Sequence, residues 1–259
     1  MDEFDLRFHR PAETALADAS MPGAEWFPGA TLNYAEHALR RRDDGTAIIA
    51  RSQSRPDDLA VSWAELADQV ARAAAGLRRL GVGRGDRVVG YLPNVPETIV
   101  AFLACASIGA VWSSCAPEFG TRAVIDRVQQ IEPAVLLVVD GYRYADKAID
   151  RRDEVAEVRA ELPTLRATVV LPYLDEDAAA GIPDATTWAE LIAEPAELTF
   201  EPVPFDHPLY VLYSSGTTGL PKAIVHGHGG SCSSTPRCSG CITTSVLATT
   251  SAGSPPPVG

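Results

Sequence analysis

Residues 213–222 read Tyr-Ser-Ser-Gly-Thr-Thr-Gly-Leu-Pro-Lys. Gly216 and Gly219, three residues apart, allow positive φ and a tight turn, so that several N–H groups can face one hollow. Ser214, Ser215, Thr217 and Thr218 add short hydroxyl donors, and Lys222 adds a mobile positive charge. Such a set suits an anion, phosphate oxygens above all. Leu209–Tyr213 before the run and Ala223–Val225 after it are apolar and read as strands. The spacing therefore predicts a strand–loop–strand phosphate clamp. It is not the Walker pattern, which needs four residues between its glycines and a Gly-Lys-Ser/Thr ending. The plain alternative is a surface hairpin, since Ser, Thr and Gly favour turns anyway; a Pro-Lys close is the more specific feature.

Working outward, the preceding chain alternates strand and helix. Ala47–Ala50 and Leu59–Val61 read as paired strands. Ser62-x-x-Glu65 is a capping box that opens a helix with Leu66, Val70, Ala73, Ala74 and Leu77 on one face, stopped by Gly81. Gly81–Asp86 has the look of a nucleotide fingerprint, but it follows a helix, so it is a helix-to-strand turn. Then come a strand at Arg87–Leu92, a helix from Pro96, a strand at Ala110–Ser113, a helix at Thr121–Gln130 and a strand at Ala134–Val139. Asp146–Arg159 reads as a solvated charged helix, Ala167–Leu171 as a strand, and Thr187-x-x-Glu190 as a second capping box. This repetition predicts an α/β fold: a parallel sheet with helices on both faces. Glu194–Pro208 carries four prolines and reads as a linker with a possible subdomain boundary.

Composition sets outer limits. The 259 residues are 46 % hydrophobic, enough for a sizeable core. A formal net charge of −12 argues against nucleic acid or an anionic membrane as partner. Thr98–Pro117 has one charge-free stretch long enough to raise a membrane span, but Ser, Cys, Gly and Pro divide it into a helix and a strand of a buried core. The start lacks the order of a secretory leader, which sets the expectation of a cytoplasmic protein. Five cysteines, two in apolar surroundings and three near the C-terminus, make no disulfide framework. His226 and His228 form an H-x-H pair without a third ligand in view, so no metal site is expected from them.

The decapeptide resembles the phosphate-loop signature of adenylate-forming enzymes. Trp26–Leu39 (WFPGATLNYAEHAL), Trp112–Gly120 (WSSCAPEFG) and Asp126–Pro133 (DRVQQIEP) narrow the resemblance to the acetoacetate-activating acyl-CoA ligase branch. The resemblance implies activation of a carboxylate with ATP and Mg²⁺, followed by acyl transfer to coenzyme A. Ser214, Ser215, Gly216, Thr217, Thr218, Gly219 and Lys222 would hold the phosphates, with Lys222 and Thr218 contributing to catalysis. His228 would line the wall of the acyl-adenylate pocket. An acetate- or propionate-specific ligase, or a fragment with residual phosphate binding and no turnover, stays open beside it. The oligomeric state is not legible.

The resemblance runs from about Leu16 to Gly230, so residues 26–230 are expected to form part of an AMP-binding domain, after a poorly structured 1–25. The family's aromatic-Gly-x-Thr-Glu motif, its ribose-binding aspartate and its C-terminal lysine do not appear, which sets the expectation of an incomplete domain inactive alone. After Gly230, Ser, Thr, Cys and Pro dominate, without Asp or Glu. Residues 231–259 are expected to be a disordered tail. The resembled continuation, Ile-Leu-Leu-Glu-His and later Lys-Val-Leu-Gly-Leu-His-His-Asp-Leu, yields Ser231–Thr235 and Arg237–Ser245 when GC-rich codons are read after loss of one base. A shifted reading frame is thus expected there, ahead of a zinc site at Cys232, Cys238 and Cys241.

Overall fold

Val135–Val139 is Val-Leu-Leu-Val-Val, and all five residues are buried. A strand apolar on both faces needs cover on both. In the computed structural model, which describes residues 6–52, 55, 57–214 and 219–234, it has that cover. We label the strands of the main sheet β1 (Arg87–Tyr91), β2 (Val111–Cys115), β3 (Val135–Val139), β4 (Ala167–Leu171), β5 (Ala185–Thr187), β6 (Pro208–Ser214) and β7 (Lys222–Gly227). Their order is β5-β4-β3-β1-β2-β6-β7, parallel throughout except for the antiparallel β6–β7 pair at one edge.

The helices are α1 (Tyr34–Ala38), α2 (Trp63–Arg79), α3 (Pro96–Ser107), α4 (Thr121–Val128), α5 (Arg152–Ala160), α6 (Trp188–Leu191) and α7 (His228–Ser234). Alternation along each strand sorts two cores. Val88, Val135, Leu137, Val139 and Val169 pack with α1, α2, α3 and α6. Val89, Tyr91, Leu136, Val138 and Val170 pack with α4 and α5. Period-two side chains on strands thus divide the helices into two layers. Each fully buried Leu or Val contributes roughly 1.5–3 kcal/mol.

Both capping boxes form: the Ser62 and Thr187 hydroxyls accept from the Glu65 and Glu190 amides, and each glutamate reaches back. α3 is buried almost all round, as a core helix should be. Among the described residues no helix is long and apolar enough to cross a membrane. Gly81 takes φ +80° where α2 must stop.

Three expectations shift in detail. The charged run Asp146–Arg159 is not one helix: Lys147–Asp150 pairs with Gly141–Tyr144 in a hairpin, and α5 starts only at Arg152. Its buried face is Val155 and Val158, and the positions one turn before them, Arg151, Arg152 and Glu154, are charged and do not extend it. The Thr121–Gln130 helix ends at Val128 and tightens into a 3₁₀ turn, Gln129–Ile131. Leu16–Asp18 pairs with Glu25–Trp26, where sequence suggested no element.

The proline-rich 194–208 segment is tied down. Val203–Pro204 pairs with Thr31–Leu32, and the Glu201 amide donates to the Ser107 carbonyl. Buried Asn33 caps α1 while its Nδ2 donates to the carbonyls of Ala106 and Glu201, both at 2.9 Å. That one carboxamide joins α1, the end of α3 and the proline-rich segment.

Candidate functional site

The two strands expected to flank the 214–222 run pair as an antiparallel hairpin. β6 lies parallel to β2, with Tyr210 opposite Trp112 and Val211 opposite Ser113. The Ser113 hydroxyl donates to the Val211 carbonyl at 2.8 Å in the core. β6 therefore ends at the same side of the sheet as β1, β2 and β3. Ligands of open α/β sheets bind outside the carboxyl ends of the strands. The loop leaves from that side.

The antiparallel register sets Ser214 opposite Lys222 at the last rung. Both are exposed, and they share a face with Leu212 opposite Ile224 and Tyr210 opposite His226. Gly219 has φ +100°, and among the described residues nothing lies within 4 Å of the position of a Cβ, so the backbone conformation is what calls for glycine here. Ser215, Gly216, Thr217 and Thr218 lie outside the described residues.

Two contacts from the α4 layer reach this hairpin. The Tyr213 hydroxyl donates to the Arg127 carbonyl at 2.7 Å, and Gln130 Nε2 donates to the Pro221 carbonyl at 3.0 Å. Burial pushes the Tyr213 phenol up to about 12. It stays protonated and can only donate to that carbonyl. Neither residue was assigned a role from sequence, although Gln130 lies inside the DRVQQIEP stretch. The signal was there only as pattern, because a side chain reaching 91 residues along the chain has no local signature.

His228 opens α7 and is fully buried. Its Nδ1 accepts from the Tyr34 amide at 3.1 Å, so the proton sits on Nε2, which has no partner among the described residues. Burial, with His207 nearby as a lesser cause, lowers its pKa to about 3. His226 instead stacks on Tyr210, ring centroids 4.8 Å apart. The H-x-H pair thus splits, and no group of three or more His, Cys, Asp or Glu surrounds a metal position among the described residues. Cys232 packs into the core on α7, so the expectation of an unpacked tail does not hold for that helix; Cys238 and Cys241 lie outside the described residues.

A groove of about 540 Å³ lies between the Glu25–Gly29 turn, Phe205, Asp206 and Gly227. It sits at the far end of β7 from Lys222, about 17 Å of strand away, and is separate from the hairpin's mouth.

The sequence pattern that defines the family described as "AMP-binding enzyme" matches residues 35–252, past Gly230. Acetoacetyl-coenzyme A synthetase of Rhizobium meliloti is 46 % identical over 224 residues, covering 84 % of this chain and 34 % of the relative. Acetoacetyl-CoA synthetase of Danio rerio is 42 % identical over 216 residues, covering 80 % and 32 %. The solved acetoacetyl-CoA synthetase from Streptomyces lividans superposes with a TM-score of 0.86 at 55 % identity, over 92 % of this chain and 36 % of that one. The chain spans about a third of the length of the relatives it matches.

Proposed function

The chain belongs to the AMP-binding enzyme family, and from that premise we propose that it is the phosphate-binding portion of an ATP-dependent acetoacetate–CoA ligase. The observation that carries the reading is the hairpin: a Ser/Thr/Gly loop leaving the carboxyl end of β6, with Lys222 facing Ser214 at its base. The similar proteins of Rhizobium meliloti, Danio rerio and Streptomyces lividans are acetoacetyl-CoA synthetases, which supports acetoacetate over acetate or propionate.

In this reading the acetoacetate carboxylate oxygen attacks the α-phosphorus of ATP, and the bond to the β-phosphate oxygen breaks to release pyrophosphate. The acyl-adenylate then gives its acyl group to the thiol of coenzyme A, and AMP leaves. No side-chain nucleophile is needed. What the protein supplies is position and charge: Lys222 neutralises the departing pyrophosphate, and the loop's hydroxyls and amides orient it. The described residues hold no carboxylate cage for Mg²⁺, so we assign no protein ligand to it in this chain; the ion would arrive on the ATP phosphates.

The test is carboxylate-dependent exchange of labelled pyrophosphate into ATP by a full-length version carrying this stretch. Exchange with acetoacetate should exceed that with acetate or propionate. A preference for either shorter acid would reassign the substrate, and no exchange with any of the three would remove the ligase reading.

A further inference from the structure

We propose that Gln130 is a positioning residue for the phosphate hairpin, acting with Tyr213 to fix its two legs against the end of α4; this rests on the ligase reading above. The two hydrogen bonds straddle the loop. Tyr213 stands one residue before Ser214, and Pro221 one residue before Lys222. Their partners, the Arg127 carbonyl and the Gln130 carboxamide, come from adjacent turns of one segment.

The chemistry on each side explains the pairing. Carbonyls at the end of a helix keep a lone pair for a side-chain donor even where, as at Arg127 O, the Gln129 amide already reaches them. Arg127 O takes the Tyr213 hydroxyl, and Asp126 O takes Gln130 Nε2 at 2.6 Å. The same Nε2 has a second hydrogen, and it goes to Pro221 O. Pro221 lies beyond the last described pair of the β6–β7 ladder, Ser214 with Lys222, and among the described residues its carbonyl has no ladder donor. Gln130 supplies one.

The clamp is itself anchored to the middle of the sheet. Glu132, after the 3₁₀ turn, takes φ +47°, and Arg87 at the start of β1 donates to the carbonyls of Ile131 and Glu132 at 2.5 and 2.7 Å. A line of direct contacts thus runs from the central strand through the α4 terminus to the residue beside Lys222. Gln130 is exposed, so its removal leaves no cavity and little effect on global stability is expected.

The experiment measures binding of magnesium pyrophosphate by calorimetry and amide hydrogen exchange at 219–223, together with thermal melting. The chain and its variants Gln130→Ala, Gln130→Glu, Tyr213→Phe and Lys222→Ala are compared. Gln130→Glu keeps the shape but has no N–H and faces two carbonyls. Both Gln130 variants should bind about three- to tenfold more weakly, the range spanned by one net hydrogen bond. They should exchange faster at 219–223 and melt as the parent does. Unchanged affinity in them, with Lys222→Ala weakened, overturns the positioning role alone. A fall in melting temperature that accounts for the affinity loss makes Gln130 merely structural and also overturns it. Failure of the parent chain to bind pyrophosphate, or unaltered binding by Lys222→Ala, overturns the phosphate reading and the positioning role with it.

Discussion

Ser214 and Lys222 face each other across the last described rung of the β6–β7 hairpin, both exposed, at the carboxyl end of a strand whose Leu209, Tyr210 and Val211 are buried. A lysine rooted in a strand rather than in the loop keeps its base fixed while its ammonium moves. In a full-length version carrying this stretch, Lys222→Ala should therefore slow pyrophosphate exchange by about 100-fold or more, the scale of losing one transition-state charge donor. Stability should change by no more than about 0.5 kcal/mol, because the side chain is solvated. An alanine variant with unchanged exchange at saturating ATP would remove Lys222 from the chemistry.

Asp140 follows β3 and is 2 % exposed. Its oxygens accept from the amides of Tyr173 at 2.7 Å and Asp175 at 2.8 Å, with Leu174 between them. One carboxylate thus folds the turn after β4. Asp140→Ala takes the acceptor from three amides of a part-buried turn and should cost about 1–3 kcal/mol. Asp140→Asn keeps an acceptor and should cost less. Urea midpoints decide it; equal midpoints for alanine and asparagine would mean the oxygens contribute little.

Elements with a local cause were legible in the sequence. Ser62-x-x-Glu65 and Thr187-x-x-Glu190 carry their caps within four residues, and both formed. The apolar run at 135–139 could only be an interior strand. The two strands of the 208–227 hairpin were legible because apolar runs flank a glycine- and hydroxyl-rich turn. Long-range ties were not. Gln130 reaches Pro221, Asn33 reaches Glu201, and Asp140 reaches Tyr173. Each is a polar residue whose partner is a backbone group far along the chain, and backbone groups carry no sequence signal. His226 and His228 show the same limit: two positions apart, they meet different neighbours because the strand ends between them.

Among the described residues β7 has one strand partner, and its consecutive residues Ile224 and Val225 are 45 % and 58 % exposed. Consecutive side chains point to opposite faces, so this edge is apolar on both. Such an edge is a template for pairing with another chain. The chain should self-associate with rising concentration, and Val225→Lys should suppress it. Sedimentation velocity across a tenfold concentration range is the check. Identical profiles for parent and variant would clear β7 of the association.

The shifted-frame reading of residues 231–259 makes a prediction about the gene. Restoring one base after the Gly230 codon should open a frame encoding Ile-Leu-Leu-Glu-His and, further on, the aromatic-Gly-x-Thr-Glu motif. Resequencing the locus is sufficient. A frame that stays uninterrupted, in keeping with the family match through residue 252, would make the Ser/Cys/Thr-rich run native and discard the idea.

His228 couples folding to acid. Burial lowers its pKa from 6.5 to about 3, so the folded chain resists a proton that the unfolded chain takes up near pH 6.5. The sign follows directly. Above pH 6.5 neither state is protonated there and the full stability is present. As pH falls from 6.5 towards 3, only the unfolded state gains the proton, and stability drains away. The slope from this one group is at most about 1.4 kcal/mol per pH unit. His228→Gln cannot titrate, while its carboxamide oxygen can still accept from the Tyr34 amide that Nδ1 now takes. Whatever constant offset the substitution brings, the stability difference between parent and variant should be flat from pH 7 to 8 and shift against the parent below pH 6. Urea unfolding at pH 8, 7, 6 and 5 measures it. Parallel stability curves across the four values would show that His228 does not stay neutral in the core.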